Sequence, residues 1–422
     1  MTLKLKHIHL QGGSLLYVLM LVLIISGLMS AYILVNAYQL TLLDKMYAEE
    51  LARENMYSGS NLLLASPLEL NESLEKTLFD TGMDTANMYP EAWGVWGLVR
   101  FKGIHGYAQE TQWALVGQEL SSDRQSALFL DDQKSALVLS GNTLLKGTVY
   151  IPAAGIKKGT VGIKGFERKE LVEGQQQSSR GKALGMNHSL LTIVADSLKS
   201  IVEDTASIET YYLRKIAVDQ AWEEESYLIR SQHNLILDEA SFRGKCIIQT
   251  TGEILVKANS QLEQVQLYAK SIRFEEGFEG SCQAFATEEL VVEQDVHLTY
   301  PSVLALFKAT KESVKLRLLN NSTLEGALLM SEKLLDGEPQ REDVMWISPT
   351  TKIWGLVDVS YGLSLRGKVY GHTHVGQFLL RTAGATYKNY LLDSELNFDL
   401  LHPDFVSPFL DKDSRSKIVR WL

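Results

Sequence analysis

The chain has 422 residues, of which 45% are hydrophobic and 22% charged, so it can form two or three folded domains and is too apolar to be wholly disordered. Its 41 basic and 51 acidic residues give a formal net charge of −10, which argues against a nucleic-acid-binding protein. Two cysteines exclude both a disulfide scaffold and a zinc module built on cysteines.

A stretch near the N-terminus is apolar enough to cross a membrane. Residues 14–36 read SLLYVLMLVLIISGLMSAYILVN, and no Asp, Glu, Lys or Arg occurs between His7 and Leu43. As a helix, the stretch would span about 34 Å, more than a bilayer core of about 30 Å. Lys4 and Lys6 precede it and acidic residues follow it, so we expect a cytoplasmic N-terminus and an exported body. A cleaved signal peptide is the alternative, but its apolar region would be only about 7–15 residues long.

The residues just before this stretch have a pattern of their own. A short basic segment ends in Gly12 and Gly13, and the apolar helix begins at Ser14 without a break. This N-terminus resembles the leader of type IV pilin-like proteins, specifically minor pilins and pseudopilins of the PilX/GspK type. The resemblance implies a cytoplasmic leader over residues 1–13, cut by prepilin peptidase between Gly13 and Ser14. The family usually has Glu at the fifth mature position, which is Val18 here.

The helix is expected to continue beyond the membrane as a stalk over residues 37–60. Apolar residues recur there at roughly helical spacing among charged ones, and Gly59 offers a stop. These apolar residues include Leu40, Leu43, Met46, Leu51 and Met56. A small α+β head is predicted over residues 61–127, with a helix over 61–80 and two or three antiparallel strands over 93–117.

Short β-type segments fill the regions 128–187 and 230–401. In the second region, four apolar triplets start 19, 18 and 18 residues apart: Leu235–Leu237, Ile254–Val256, Ile272–Phe274 and Leu290–Val292. Such a period is typical of a parallel β-helix or related solenoid, in which stacked rungs share one apolar core. An antiparallel sandwich with evenly spaced strands is the alternative. We therefore predict a mainly β protein with a long N-terminal α-helix, a small α+β head and a solenoid-like body.

Short sequence repeats with a spacing of twelve residues also occur in these two regions. Lys146-Gly-Thr-Val149 returns as Lys158-Gly-Thr-Val161, and Ile353-x-Gly355-x-Val357 returns as Leu365-x-Gly367-x-Val369. Residues 141–159, which contain the segment Lys146–Val149, resemble a group of poorly characterised exported bacterial proteins. That second resemblance implies no activity.

The repeat predicts the state of the two cysteines. A second apolar cluster follows each triplet, and it contains Cys246 in one repeat and Cys282 two repeats later. Rungs about 4.8 Å apart would separate the two backbones by roughly 9–10 Å. This separation exceeds the reach of a disulfide, so we expect two free thiols.

Two segments do not follow the repeat. Residues 188–229 are predicted to be a helical or linker insertion between the β-rich halves, because SLLTIVADSLKSIVED has apolar residues at helical spacing. Residues 402–422 are predicted to be a C-terminal tail that caps the last rung.

We find no enzymatic motif of the GxSxG, HExxH, Walker or GxGxxG type. His372 and His374 share a face of a strand, but no third ligand is near, so packing or surface polarity is favoured over a metal site. Acidic residues such as Glu275 and Glu288 fall at predicted corners, and a polysaccharide lyase or glycosidase stays an alternative. We expect no catalytic residue, no cofactor and no metal.

Two functional classes fit these observations. The first is a minor pilin- or pseudopilin-like subunit of a filament or secretion apparatus, single-pass in the bacterial inner membrane, with its body periplasmic or surface-exposed. Its partners would be membrane lipid, other pilin-like subunits and prepilin peptidase. The second is a membrane-anchored β-solenoid without a filament, acting as an adhesin, glycan binder or carbohydrate-active enzyme. A bactofilin-like polymer is disfavoured, because that family is largely cytoplasmic.

Overall fold

The computed structural model describes residues 13–65, 70, 72–79, 82–180, 188–203, 209–308, 314–331, 344–408 and 414–422. Its helical segments are α1 (Gly13–Leu64), α2 (His188–Glu203) and the 3-10 helix η1 (Phe398–Leu400). Its strands are, in chain order, β1 (Leu74–Thr77), β2 (Asp84–Trp93), β3 (Trp96–His105), β4 (Ala108–Gln118), β5 (Leu128–Leu130), β6 (Leu137–Ser140), β7 (Leu144–Lys146), β8 (Val149–Ile151), β9 (Ile156–Lys158), β10 (Thr160–Val161), β11 (Lys164–Gly165), β12 (Gln176–Ser178), β13 (Thr210–Arg214), β14 (Ala217–Gln220), β15 (Tyr227–Ser231), β16 (Asn234–Asp238), β17 (Ser241–Gly244), β18 (Cys246–Thr250), β19 (Glu253–Val256), β20 (Gln261–Phe274), β21 (Glu279–Val292), β22 (His297–Phe307), β23 (Lys315–Leu318), β24 (Thr323–Ser331), β25 (Val344–Ile347), β26 (Lys352–Leu365), β27 (Lys368–Arg381), β28 (Thr386–Lys388), β29 (Tyr390–Leu392), β30 (Glu395–Asn397) and β31 (Ser416–Trp421).

The chain divides into two compact units. Unit 1 comprises Met1–Ser60, Leu74–Met88 and Phe101–Thr111, and it contains most of α1. Unit 2 comprises Asn61–Ser73, Tyr89–Arg100 and Gln112–Leu422, and it contains the β-rich body.

The body in unit 2 is a solenoid of parallel rungs, as the repeat predicts. Leu235 pairs with Ile254, Ile254 with Ile272, and Ile272 with Leu290, all in parallel register. The period of 18 to 19 residues is therefore the step from one rung to the next, and parallel pairing rules out the antiparallel sandwich. These side chains are buried in one core, where each contributes about 1.5–3 kcal/mol of burial free energy.

The twelve-residue spacing of the short repeats is not the spacing from one rung to the next. Gly355 pairs with Gly371 and not with Gly367, and Val149 pairs with Leu128. The φ values of Gly355 and Gly371 are +137° and +149°, a region that favours glycine. A Cβ at Gly371 would overlap the carbonyl oxygen of Gly355. The close backbone contact between rungs thus joins Gly355 to Gly371, and the twelve-residue spacing of Gly355 and Gly367 is not the length of a rung.

The order of the rungs differs from the order of the chain. Strand β27 pairs in parallel with β5, and β30 pairs with β7. Strand β5 then pairs with β8, and β8 with β12. The N-terminal rungs therefore stack onto the C-terminal end of the solenoid, and both β-rich segments share one continuous hydrophobic core.

Helix α2 connects the last N-terminal strand to the rung that begins at β13. Its buried residues Leu191, Val194 and Leu198 recur at helical spacing, as predicted, and pack in a cluster with Tyr268 and Phe285 of the solenoid. The central parts of strands β20 and β21 are therefore covered on both faces, which explains why residues 264–269 and 281–287 are all buried. The predicted insertion over residues 188–229 does not continue beyond the helix, because β13, β14 and β15 pair in parallel with β16, β17 and β18 and belong to the solenoid.

Five strands form a separate sheet in the order β1-β2-β3-β4-β31. Neighbouring strands β2, β3 and β4 are joined by two-residue connections, so they run antiparallel, as predicted for residues 93–117. The predicted helix over 61–80 is wrong: α1 ends at Leu64 and β1 begins at Leu74. The end of α1 at Leu64 fits the position of Pro67, because helices usually end at or before the residue that precedes a proline.

The C-terminal segment has a different place from the one expected. Strand β31 pairs antiparallel with β4 and completes the five-stranded sheet. It does not cap the last rung, since β27 and β30 already have β5 and β7 as neighbours.

The cysteine prediction is confirmed. Cys246 and Cys282 are both free and buried. Ile247 pairs with Gln266 and Val265 pairs with Cys282, so the two cysteines lie two rungs apart. Burial raises the pKa of Cys246 to about 11 and that of Cys282 to about 12, which keeps both as unreactive thiols.

Candidate functional site

Helix α1 combines length, apolar character and exposure. Its 52 residues extend over about 78 Å. Every large apolar side chain from Leu15 to Leu43 is between 45% and 73% exposed. Among the described residues it is the helix long and apolar enough to cross a membrane. Such exposure is compatible with an apolar surrounding and costly in water.

The predicted processing bond lies at the start of this helix. Gly13 and Ser14 are the first two residues of α1. A side chain at Gly13 would meet no atom within 4 Å, so the position is open. Gly12 and the rest of the predicted leader lie outside the described residues.

The C-terminal half of α1 buries a narrow row of residues. Ala48, Ala52 and Met56 follow each other at intervals of four and are buried in unit 1. The sequence pattern suggested a larger apolar face that includes Leu40 and Met46, but those side chains are 63% and 57% exposed. The buried face of the helix is thus narrower than its apolar sequence.

Two features in unit 1 hold α1 against its strands. The side-chain amide of Asn55 donates hydrogen bonds to Asp84 Oδ1 at 2.7 Å and to the carbonyl of Ile104 at 2.9 Å. His105 Nδ1 also lies 2.7 Å from Asp84 Oδ1. A Cβ at Gly103 would overlap the carbonyl oxygen of Ala52, so glycine permits the close approach of strand and helix.

The histidine pair of β27 lies in a buried network at the junction of the N-terminal and C-terminal rungs. His374 Nδ1 is 2.9 Å from Asp358 Oδ1, and its Nε2 is 3.2 Å from Asp131 Oδ1. The other carboxylate oxygen of Asp358 accepts a hydrogen bond from Arg124 Nη1 at 2.7 Å. His372 Nδ1 is 2.9 Å from the backbone carbonyl of Ser126 and donates to it.

Cationic and anionic groups alternate in this network, and the pKa values of its two histidines are shifted in opposite directions. Burial lowers the pKa of His374, but the carboxylates of Asp358 and Asp131 outweigh it and raise the pKa to about 9. Burial and the nearby charge of Arg124 lower the pKa of His372 to about 3. The pKa of Asp358 is held below its usual range by His374 and Arg124, despite its burial.

This arrangement is structural and does not resemble a metal centre. Both ring nitrogens of His374 face carboxylates, so the protonated ring has no lone pair to offer a metal. Among the described residues, no group of three or more His, Cys, Asp or Glu side chains is placed to hold a metal ion. Arg124, Asp131 and Asp358 are the partners that sequence reasoning missed, since nothing in the sequence links them to the histidine pair.

Comparison with known proteins identifies no family for this chain. No protein-family model matches the chain, and no curated protein matches it. Among solved structures, the competence-associated pilin ComZ from Thermus thermophilus is similar with a TM-score of 0.26 and 8% sequence identity, over 90% of this chain and 97% of that chain. A TM-score of this size establishes no shared fold, so the function rests on the residues described above.

Proposed function

We propose that the chain is a minor pilin- or pseudopilin-like, non-catalytic subunit of an envelope filament or secretion apparatus, assembled through α1. The observation that carries the proposal is the excess length of the exposed apolar helix. Residues 14–43 contain no charged side chain and would extend over about 45 Å. A bilayer core is about 30 Å thick, and even a tilt of about 40° would leave about 34 Å along its normal.

The part of α1 that extends beyond the bilayer core needs something other than lipid to bury its apolar side chains. Leu40, Leu43 and Met46 are all more than half exposed, and they lie at the end of α1 where charged residues begin. Left in water, such surface costs about 25 cal/mol per Å². Helices of neighbouring pilin-like subunits would bury it, whereas a simple anchor would gain nothing from it.

The N-terminus supports the same proposal. Processing between Gly13 and Ser14 would leave a mature chain that begins with the apolar helix itself. The basic residues Lys4 and Lys6 before the helix favour a cytoplasmic leader, with the body on the far side of the bacterial inner membrane. Prepilin peptidase and membrane lipid are the corresponding proposed partners.

N-terminal sequencing of the mature protein tests the processing step. In cells with prepilin peptidase, we expect the chain to begin at Ser14, and a Gly13→Val variant to keep its leader. Gly27→Ala is the matched control, because Gly27 also has no atom within 4 Å of a Cβ and should be processed normally. An intact Met1, or a cut near Ala37, would contradict the proposal.

Cross-linking tests assembly separately. Both native cysteines are buried, so a Leu40→Cys variant offers the accessible thiol on α1. We expect covalent links from position 40 to another pilin-like helix, and few links from Glu54→Cys on the exposed, charged part of α1. Equal, weak linking at both positions, together with an intact leader, would favour a membrane-anchored solenoid without a filament.

A further inference from the structure

A groove on the outside of the solenoid plays no part in the filament assembly proposed above. It is a cavity of about 420 Å³ whose walls include Tyr300, Glu325, Trp354, His402, Asp404 and Phe405. A second cavity of about 350 Å³ adjoins it and shares His402 and Phe405. Each lies within the size range of small-ligand sites.

Two stacked rungs form one wall of the groove. Glu325 of β24 pairs with Trp354 of β26, and Trp354 pairs with Tyr370 of β27, so the three residues form one outward column. The ring of Trp354 lies 5.1 Å from that of Tyr370, which supports it from the next rung. Within the described residues, Glu325 has no hydrogen-bond or ion-pair partner. Its carboxylate is therefore available to a ligand.

The segment around Phe405 forms the opposite wall, and it is fixed in place. The hydroxyl of Tyr300 donates a hydrogen bond to the carbonyl of Val406 at 3.0 Å, and the rings of Tyr300 and Phe405 lie 5.8 Å apart. A Cβ at Gly355 would come within 2.9 Å of the Phe405 ring, so glycine lets that ring lie against the strand. The groove is thus formed before any ligand binds, which lowers the entropy cost of binding.

The rim of the groove carries polar side chains that can form hydrogen bonds with a ligand. His402 Nδ1 accepts a hydrogen bond from the backbone amide of Asp404 at 3.2 Å, so its Nε2 carries the proton in the neutral ring. Asp404 has one loose ion pair, with Lys417 at 3.7 Å, and keeps most of its surface exposed. An imidazole N–H, the Lys417 ammonium and two carboxylates therefore lie around the aromatic side chains.

We propose that this groove binds an uncharged oligosaccharide of hexopyranose units. The C–H face of a pyranose ring packs on an aromatic ring such as Trp354, while its hydroxyls pair with carboxylates such as Glu325 and with an N–H donor such as that of His402. The two adjoining cavities suit more than one sugar unit. The unpaired carboxylate of Glu325 repels anions, so we expect polyuronates to bind more weakly than neutral sugars. This inference does not depend on filament assembly.

Titration calorimetry on the full-length protein tests the inference. The detergent must not be an alkyl glycoside, because its sugar headgroup would compete for the groove. The probes are cellotetraose, chitotetraose and maltotetraose, with tetragalacturonate as the anionic comparison. We expect at least one neutral tetrasaccharide to bind with a dissociation constant below 1 mM, and tetragalacturonate to bind at least about tenfold more weakly.

Two variants locate the binding. Trp354→Ala should weaken binding of the neutral tetrasaccharide about tenfold or more. Trp346→Ala is the matched control, because Trp346 lies on the same solenoid between Arg317 and Arg381 and away from the groove. Unchanged binding in Trp354→Ala with unchanged melting temperature would overturn the inference. So would the absence of binding by every neutral probe, or equally tight binding of tetragalacturonate.

Discussion

Helix α1 and the solenoid are built from the same kinds of apolar side chain and place them in opposite surroundings. In the solenoid, Ile254 and Leu290 are fully buried between rungs, whereas every large apolar side chain of α1 up to Leu43 is exposed. The difference shows that the solenoid carries its own core. The apolar surface of α1 requires an apolar surrounding outside the chain, such as a membrane, to cover it.

Removing residues 1–43 should break this comparison most completely. A chain that begins at Asp44 keeps the solenoid core and loses the exposed apolar helix, so it should move from the membrane fraction to the soluble fraction. Its melting temperature, followed by circular dichroism, should change by less than about 2 °C. Loss of the β-type spectrum would show instead that the solenoid depends on the apolar helix.

The next largest effect is expected at the buried network, where the solenoid core departs from apolar packing. Arg124→Met leaves the carboxylate of Asp358 buried with one cationic partner fewer, and it should reduce the free energy of unfolding by about 3–5 kcal/mol. Denaturant unfolding measures this loss. Lys199→Met is the control, because it breaks an exposed pair with Asp196 and should cost less than about 0.5 kcal/mol. Equal costs would mean that the buried pair stabilises nothing.

Position within the solenoid should decide the cost of cavity mutations. Ile272→Ala removes a buried side chain between two rungs and should cost about 2–5 kcal/mol. Leu213 is only half-buried, on strand β13, whose parallel partner is β16. Leu213→Ala should therefore reduce the free energy of unfolding by less than half as much, with both variants measured by urea unfolding. A larger loss at Leu213 would show that another segment covers this rung.

The smallest effects should come from pH. The pKa of His374 is raised to about 9, so its stabilisation is complete below about pH 6.5 and is lost as pH rises through 9. The pKa of His372 is lowered to about 3, so its stabilisation is present above about pH 6.5 and is lost as pH falls toward 3. Each limb should change stability by at most about 1.4 kcal/mol per pH unit, with a maximum near pH 6.5.

Two variants separate the limbs of that profile. His374→Gln should flatten the alkaline limb of a stability profile measured by denaturant unfolding, and His372→Gln should flatten the acid limb. Asp358 adds to the acid limb, because its lowered pKa makes its stabilisation disappear as the carboxylate protonates. A wild-type profile without a maximum would contradict the assignment of charges in the network.

Much of the architecture follows from local sequence. The uncharged run before Asp44 determined a membrane-length helix, because only a helix satisfies its backbone within a bilayer. The spacing of Leu235, Ile254 and Ile272 determined the rung register, because each rung must place its apolar side chains over those of the rung below. The same register placed Cys246 and Cys282 too far apart to pair.

The tertiary structure alone decided how distant parts of the chain meet. Arg124 and Asp131 reach the histidine pair only because the N-terminal rungs stack on the C-terminal end of the solenoid. No local pattern encodes that order, since a rung accepts any partner of matching apolar face. The groove has the same origin, because Trp354 and Phe405 meet only when a returning loop crosses the outside of the rungs. The sequence thus determined which segments are rungs and which is the anchor, and long-range packing determined the order of the rungs and the sites between them.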